Sequence, residues 1–235
     1  MSQTSDQTRI FNECNRVLPL GTASLSAEYY YDSLPQCVID AVYSIGVRYT
    51  STRRTVINYC NHTGVTRLST PLGNPSDRHT INDLLNNINS YPTIADCAAC
   101  LFENKQQTST TNGILKADAV KRFATVLRDN GIQTLHDIRT ASPATIAAIE
   151  SEIKKIPGQR SGISFSYFLM LSGDDSHMKI DRWLLRFVGN ALGVRNFNNV
   201  PQAYADLIAV CEELKKTYPH LTPRLLDHTI WGFMK

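Results

Sequence analysis

The sequence predicts an all-α protein, and three observations support this prediction. Apolar residues recur every three or four positions along most of the chain, which is the period of a helix buried on one side. Helix start signals and stop signals, built from Ser, Thr, Pro and Gly, separate these periodic segments. No credible β-hairpin is visible between them.

The first predicted helices occupy the stretch before residue 105. Residues 34–49 place apolar side chains at i, i+3, i+4 and i+7. A second helix, residues 80–91, is closed by Pro92. A third, residues 93–104, begins after that proline with Thr93 as N-cap. The apolar positions of the first helix are Val38, Ala41, Val42 and Ile45.

The central helices have the clearest boundary signals. Residues 115–131 carry one apolar face and end at Gly131, a suitable residue for the left-handed position after a helix. The segment "TLHDIRTAS" predicts a short helix at most. Residues 142–156 open with Ser before Pro143, which places proline at the first helical position. The polar stretch "NKQQTSTTNG" before these helices is predicted to be an exposed loop.

The last predicted helices follow a Pro-Gly turn. One begins at Gly162 and is apolar along "FSYFLML", the next covers residues 182–192, and two more cover residues 201–219 and 222–234, each with Pro near its start. This gives eight to ten helices. The segment "RRTVINYC" alternates weakly and is the place where a strand could be mistaken for a helix.

Composition predicts a folded, cytoplasmic protein. The chain has 235 residues, 42% of them apolar, and no apolar run long enough to span a membrane. Its start lacks the basic and hydrophobic segments of a secretion signal. Six scattered cysteines fit reduced thiols in a cytosol. A monomer without membrane contact is expected.

Positive charge is concentrated in one region. Between Glu152 and Arg195, seven Lys and Arg residues stand against four Asp and Glu residues, so this region carries the chain's net charge of +3. Such a patch is expected for phosphate contact, although a solvated helix face gives the same count. Lys155, Arg53 and Arg54 are open to the same two interpretations.

The Pro157-Gly158 turn joins two predicted helices. Two helices joined so closely must pack against each other, which leaves the backbone N–H groups of the turn and of the second helix's first turn facing outward. Phosphate oxygens satisfy such groups well, because the helix dipole also favours an anion there. Water satisfies them too, and the sequence leaves both interpretations open.

The turn, the following helix and Asp181 together resemble the helix-hairpin-helix DNA glycosylase superfamily. Members of that superfamily carry a Leu/Ile-Pro-Gly-x-Gly hairpin, a helix, a loop with Gly or Pro, and an essential Asp. Ile156-Pro157-Gly158-Gln159-Arg160 matches the hairpin, and Lys179-Ile180-Asp181-Arg182 matches the segment with the Asp. The stretches "PQCVIDAVYSIGVRYTSTRRTVINYC" and "NGILKADAVKRFATVL" are similar to two further segments, so the resemblance covers about residues 34–193.

The resemblance implies an architecture and a set of site residues. One helical subdomain, residues 34–175, would carry the hairpin, and a second would combine residues 1–33 with 176–235. Asp181 would be catalytic. The implied DNA-binding residues are Pro157, Gly158, Gln159, Arg160, Ser161, Gly162, Lys179 and Arg182. The candidates for stacking on a base are Tyr30, Tyr31 and Trp183.

The implied reaction is hydrolysis of the N-glycosidic bond of a modified or mispaired base in DNA. A carboxylate can stabilise the cationic sugar and align a water, so Asp181 alone suffices and no metal or other cofactor is expected. Gly162 stands where lyase-capable members have a catalytic Lys, so strand cleavage is not implied. Arg160 replaces the second hairpin Gly, and no four-cysteine iron–sulfur cluster can be built after Cys100.

Other interpretations stay open from sequence alone. Asp181 precedes a helix and could simply be its N-cap, which is worth about 0.5–2 kcal/mol. The chain could be a non-catalytic DNA-binding protein that keeps the hairpin without the base chemistry. It could also be a helical scaffold with no nucleic-acid role.

Overall fold

Regular structure in residues 4–235, the part of the chain that the computed structural model describes, is helical. No β-strand forms there; two isolated antiparallel bridges join Tyr31 to Leu68 and Gln107 to Leu115. The prediction of an all-α fold is confirmed. The α-helices are α1 (Ser5–Val17), α2 (Leu34–Tyr43), α3 (Tyr49–Thr63), α4 (Ile81–Asn89), α5 (Ile94–Cys100), α6 (Lys116–Asp129), α7 (Leu135–Thr140), α8 (Pro143–Ile153), α9 (Ile163–Ser172), α10 (Arg182–Leu192), α11 (Val200–Leu214) and α12 (Pro223–Met234).

Several predicted helix ends are confirmed by their hydrogen bonds. The Thr93 side chain accepts from the backbone N–H of the third residue of α5, and the Ser142 side chain does the same for α8, where Pro143 occupies the first helical position. Gly131, just after α6, has a φ of +76°. Local chemistry therefore fixed these boundaries.

Two helices were not predicted. α1 lies in a segment for which no element was proposed, and α3 includes "RRTVINYC", whose weak alternation left its conformation undecided. The helix predicted over residues 34–49 ends at Tyr43 instead, and α3 begins at Tyr49. Gly46 between them has a φ of +72°, a left-handed conformation that interrupts a right-handed helix.

The chain divides into two units, and the larger comprises residues 27–173 with α2 to α9. All ten residues of α2 are buried, as are eight of the ten in α9, so these two helices lie at the centre of the unit. They pack against each other, and α2 also packs against α3 and α6. The Phe123, Phe165 and Phe168 rings meet in this core, with the first and last centroids 5.1 Å apart.

A buried cation joins two helices of the larger unit. Lys116, at the start of α6, is 2% exposed, and its Nζ donates to the carbonyl oxygens of Tyr43 at 2.9 Å and Ile45 at 2.8 Å. Carbonyls at the C-terminal end of a helix lack partners within it and carry partial negative charge. Lys116 therefore satisfies the end of α2 from inside the core.

The smaller unit combines residues from both ends of the chain, 4–26 and 174–235 within the described part. α1 packs against α10 and α11, and α12 packs against the same two helices. Their shared core includes Ile10, Phe187, Leu207 and Ile230. None of the helices in residues 4–235 combines the length and the apolarity that a bilayer crossing requires.

Candidate nucleic-acid interface

Residues 154–162, the turn segment, connect α8 to α9. Three successive turns build it: the N–H groups of Ile156, Gln159 and Gly162 each donate to the carbonyl three residues earlier, at 2.9–3.0 Å. The helix predicted to reach residue 156 ends at Ile153, so the connection is longer than the close hairpin that the sequence suggested. More backbone is therefore presented between the helices.

Two glycines allow this path. Gly158 and Gly162 have φ values of +85° and +75°, which side-chain-bearing residues rarely adopt. A Cβ on Gly158 would also lie 2.4 Å from Cβ of Thr108, in the loop before α6. At Gly162 it would lie 2.8 Å from Cε of Lys154. Backbone conformation and close contact both require glycine here.

Backbone N–H groups in and after the turn segment lack partners within the described chain. Those of Gly158, Arg160 and Ser161 donate to no acceptor there, and all three residues are exposed. The backbone N–H groups of Ser164 and Phe165 at the start of α9 also lack acceptors there, but each of these residues is only 2% exposed. Amides that an anion can reach therefore belong to the turn itself rather than to the first turn of α9.

The six predicted DNA-binding residues of the turn differ in exposure. Gly162 is buried. Four of the six are exposed: Pro157, Gly158, Arg160 and Ser161. Gln159 is 1% exposed, and its Oε1 is buried with no partner in the described chain. The prediction that Gln159 contacts DNA therefore does not hold for its side chain, which points into the packed interior. The residue-by-residue match gave no information on burial.

Asp181 is the N-cap of α10 and belongs to the smaller unit. Its Oδ1 accepts from the backbone N–H groups of Trp183 at 2.8 Å and Leu184 at 3.4 Å. The side chain is half-buried, and none of the described hydrogen bonds uses Oδ2. One oxygen of this carboxylate holds the helix, and the second is available to another group.

A second carboxyl group, which was not predicted from the sequence, lies close to Asp181. Asp227 of α12 is 3% exposed, and its Oδ2 accepts from the backbone N–H of Lys179 at 2.6 Å. Burial raises its pKa to about 8, and the negative charge of Asp181 adds to the increase. The available signal was an acid between the apolar residues Leu226 and Ile230 of a predicted helix, since charged residues are seldom buried without a partner.

A second contact with α12 lies earlier in the segment that leads to Asp181. The carbonyl and the carboxylate of Asp175 accept from the N–H and the guanidinium of Arg224, both at 3.2 Å. Asp174 accepts from Ser176 and pairs with His177 at 3.1 Å. The hydrogen bonds from His177 and Ser176 lower the pKa of Asp174. These contacts fix the path of the loop into α10.

A family model described as "Domain of unknown function (DUF8548)" matches residues 8–235. The chain belongs to this family. No curated protein and no solved structure matches it. The match covers both units, so the turn segment and Asp181 lie within a single DUF8548 domain.

Two predicted DNA-binding residues of this DUF8548 chain flank Asp181. Lys179 is partly exposed, with its N–H bound by Asp227. Arg182 is exposed, and its guanidinium lies 5.1 Å from the ring centroid of Trp183. This cation–π contact holds the Trp183 ring, which is partly exposed, beside a positive charge. Both cations and the ring therefore stay near the start of α10.

The two tyrosines predicted to stack on a base occupy different environments. Tyr30 is partly exposed. Tyr31 is 3% exposed, and its hydroxyl donates to Asp40 at 2.8 Å within the core. A base cannot reach the Tyr31 ring without displacing that core, so the stacking prediction does not hold for it. It stays a prediction for Tyr30 and Trp183.

Proposed function

We propose that this protein binds DNA through a helix-hairpin-helix formed by α8, the turn segment and α9, and hydrolyses the N-glycosidic bond of a modified or mispaired base. The observation that carries the proposal is the set of exposed N–H groups at Gly158, Arg160 and Ser161, which donate to no acceptor within residues 4–235. A separate observation in the smaller unit is the cap carboxylate of Asp181, whose Oδ2 takes part in none of the described hydrogen bonds.

Phosphate is the ligand that best suits the turn. Successive N–H groups in a glycine-containing turn form a concave donor site for an anion. Arg160 adds a positive charge, and no ion pair occupies its guanidinium within the described residues. The replacement of the second hairpin Gly by Arg160 therefore adds a phosphate contact in this proposal.

The chemistry is assigned to Asp181. Cleavage of the glycosidic bond develops positive charge on the sugar, which a nearby carboxylate stabilises, while the same group orients the attacking water. Its capping bonds to Trp183 and Leu184 hold the carboxylate in one orientation. The free Oδ2 is the atom that acts on sugar and water.

A second candidate is a non-catalytic DNA-binding protein. The capping bonds of Asp181 favour it, because they account for an acid at this position without any catalytic role. In that case the turn segment still binds phosphate. Base release then never occurs.

An Asp181→Asn variant distinguishes the two. Asn is as good an N-cap as Asp, so α10 should keep its start while the negative charge is lost. The wild-type protein and the variant would be incubated with duplexes carrying alkylated, oxidised, deaminated or mispaired bases, followed by alkaline cleavage of abasic sites. The glycosylase proposal is supported if the wild type releases a base and Asp181→Asn does not. An Asp129→Asn control on α6 should keep base release.

Other outcomes point elsewhere. Salt-dependent duplex binding that survives Asp181→Ala, with no base released, supports the non-catalytic alternative. Base release that is equal in wild type and Asp181→Asn removes Asp181 from the mechanism. Absence of any DNA binding at low salt contradicts both candidates and leaves a helical scaffold.

A further inference from the structure

A polar cleft of about 580 Å³ lies in the larger unit, between α3 and the segment after α5. The α3 side of this polar cleft consists of Ser51, Arg54, Thr55 and Asn58, and the opposite side consists of residues 103–106. The four α3 residues are spaced i, i+3, i+4 and i+7, so they share one helix face. Among these lining residues, the sequence marked Arg54 as a phosphate candidate and indicated no site.

Hydrogen bonds between the two sides hold the polar cleft in shape. Asn104 donates its side-chain amide to Thr55 Oγ1 at 2.8 Å, and Gln106 donates to Ser51 Oγ at 3.2 Å. These bonds link the helix to the opposite segment at two levels. The two sides are therefore held together before a ligand binds, which reduces the entropy lost on binding.

Two positive charges of the polar cleft are open to an anion. Arg54 and Lys105 are both exposed and form no ion pair within the described residues. By contrast, the neighbouring Arg53 is bound to Glu28 at 2.9 Å. Glu103 is the acid among the lining residues, and its Oε1 lies 3.3 Å from Nε2 of His62. The two unpaired cations thus exceed the single carboxylate.

The lining indicates which part of a nucleic acid would fit. Hydroxyls, side-chain amides and two cations surround the polar cleft, and no aromatic ring is among the lining residues. Bases are held by stacking on aromatic rings, whereas backbone is held by cations, amides and hydroxyls. The lining therefore suits sugar and phosphate rather than an extruded base.

The polar cleft and the turn segment are joined by a short stretch of backbone. Gln106 lines the polar cleft, and Thr108 touches Gly158 in the turn. Two residues span at most about 7 Å. Thr108 is itself fixed, since its N–H donates to the Ile114 carbonyl at 2.9 Å and its Oγ1 accepts from the Ile114 N–H. Both sites are thus within reach of one nucleic-acid strand.

We infer that the polar cleft binds the sugar–phosphate backbone of the same DNA molecule that the turn segment binds, with Arg54 and Lys105 as the phosphate ligands. This inference rests on the proposed function. It adds a second contact on the larger unit, which lengthens the DNA footprint along α3.

The test is the salt dependence of binding to an unmodified duplex. Each phosphate contact releases condensed counterions, so removing two cations should lower the slope of log K against log salt by about 2. The test protein is the Arg54→Gln, Lys105→Gln double variant. The matched control removes the same charge from α6 with Lys121→Gln and Arg122→Gln, and its slope should equal that of the wild type.

Charge-conserving variants show whether a lower slope results from lost charge or from misfolding. Arg54→Lys with Lys105→Arg should keep the wild-type slope, and circular dichroism should show the same helix content for every variant. A wild type that binds DNA, with an unchanged slope in the double Gln variant, overturns the inference and leaves the proposed function intact. A wild type without salt-dependent DNA binding overturns both.

Discussion

The buried carboxyl group of Asp227 accepts a hydrogen bond of 2.6 Å from the backbone N–H of Lys179. Lys179 stands two residues before Asp181, so this bond from α12 determines where the chain enters α10. Asp227 is buried, and a carboxylate there would lie near the charge of Asp181. The protonated acid is therefore the form that the fold favours.

This arrangement predicts a specific pH dependence of stability. The pKa of Asp227 rises from 3.8 to about 8 on folding, so the folded chain binds a proton that the unfolded chain releases. Its contribution is fully present below the unfolded pKa and is lost as pH rises through about 8, with a slope of up to about 1.4 kcal/mol per pH unit.

Asp227→Asn tests that dependence. The amide oxygen can still accept from Lys179, but it does not titrate. We expect the free energy of unfolding of the variant, relative to wild type, to increase between about pH 5 and 8 when measured by urea denaturation. An unchanged difference across this range would show that Asp227 does not change protonation on folding.

Local chemistry made much of the fold predictable. Ser142 with Pro143, and Thr93 before α5, each form a cap from neighbouring residues, so the sequence contains the whole interaction. The helix predicted over residues 34–49 ran through Gly46, whereas α2 ends before this glycine and α3 begins after it. The left-handed conformation of that glycine decided the boundary.

Burial at the candidate site was not predictable in the same way. Gln159 stands in the hairpin match and Tyr31 in a row of three tyrosines, and each position suggested exposure. Whether they are exposed depends on which distant segments pack over them, and both are buried. Asp227 lies 46 residues after Asp181 in the chain, so only the tertiary fold shows that their charges interact.

Gly158→Ala should destabilise the protein more than Gly131→Ala. Both glycines have positive φ, so both substitutions incur backbone strain of about 1 kcal/mol. At Gly131 an added Cβ meets nothing within 4 Å, whereas at Gly158 it lies 2.4 Å from Cβ of Thr108. Gly158→Ala should therefore cost a further 1–2 kcal/mol or so, about the cost of overpacking. Equal urea midpoints for the two variants would show that Thr108 moves away freely.

Lys116→Met should lower the free energy of unfolding by about 2–3 kcal/mol, the cost of removing charge-assisted hydrogen bonds. Met keeps much of the apolar stem but leaves the carbonyls of Tyr43 and Ile45 without their ammonium donor. Lys121→Met on the same helix is the control, because that side chain is partly exposed. If both variants unfold at the same urea concentration, Lys116 does not stabilise the end of α2.

Sodium borohydride should trap no covalent adduct between the protein and DNA containing an abasic site. Gly162 has no amine, and the nearest one is that of Lys154, whose Nζ would lie 3.4 Å from a Cβ at Gly162. An ion pair with Glu150 occupies this ammonium, and a protonated amine is not a nucleophile. A trapped band that disappears in Lys154→Gln would identify Lys154 as a lyase nucleophile. In that case the reaction would proceed by Schiff-base strand cleavage rather than by hydrolysis alone.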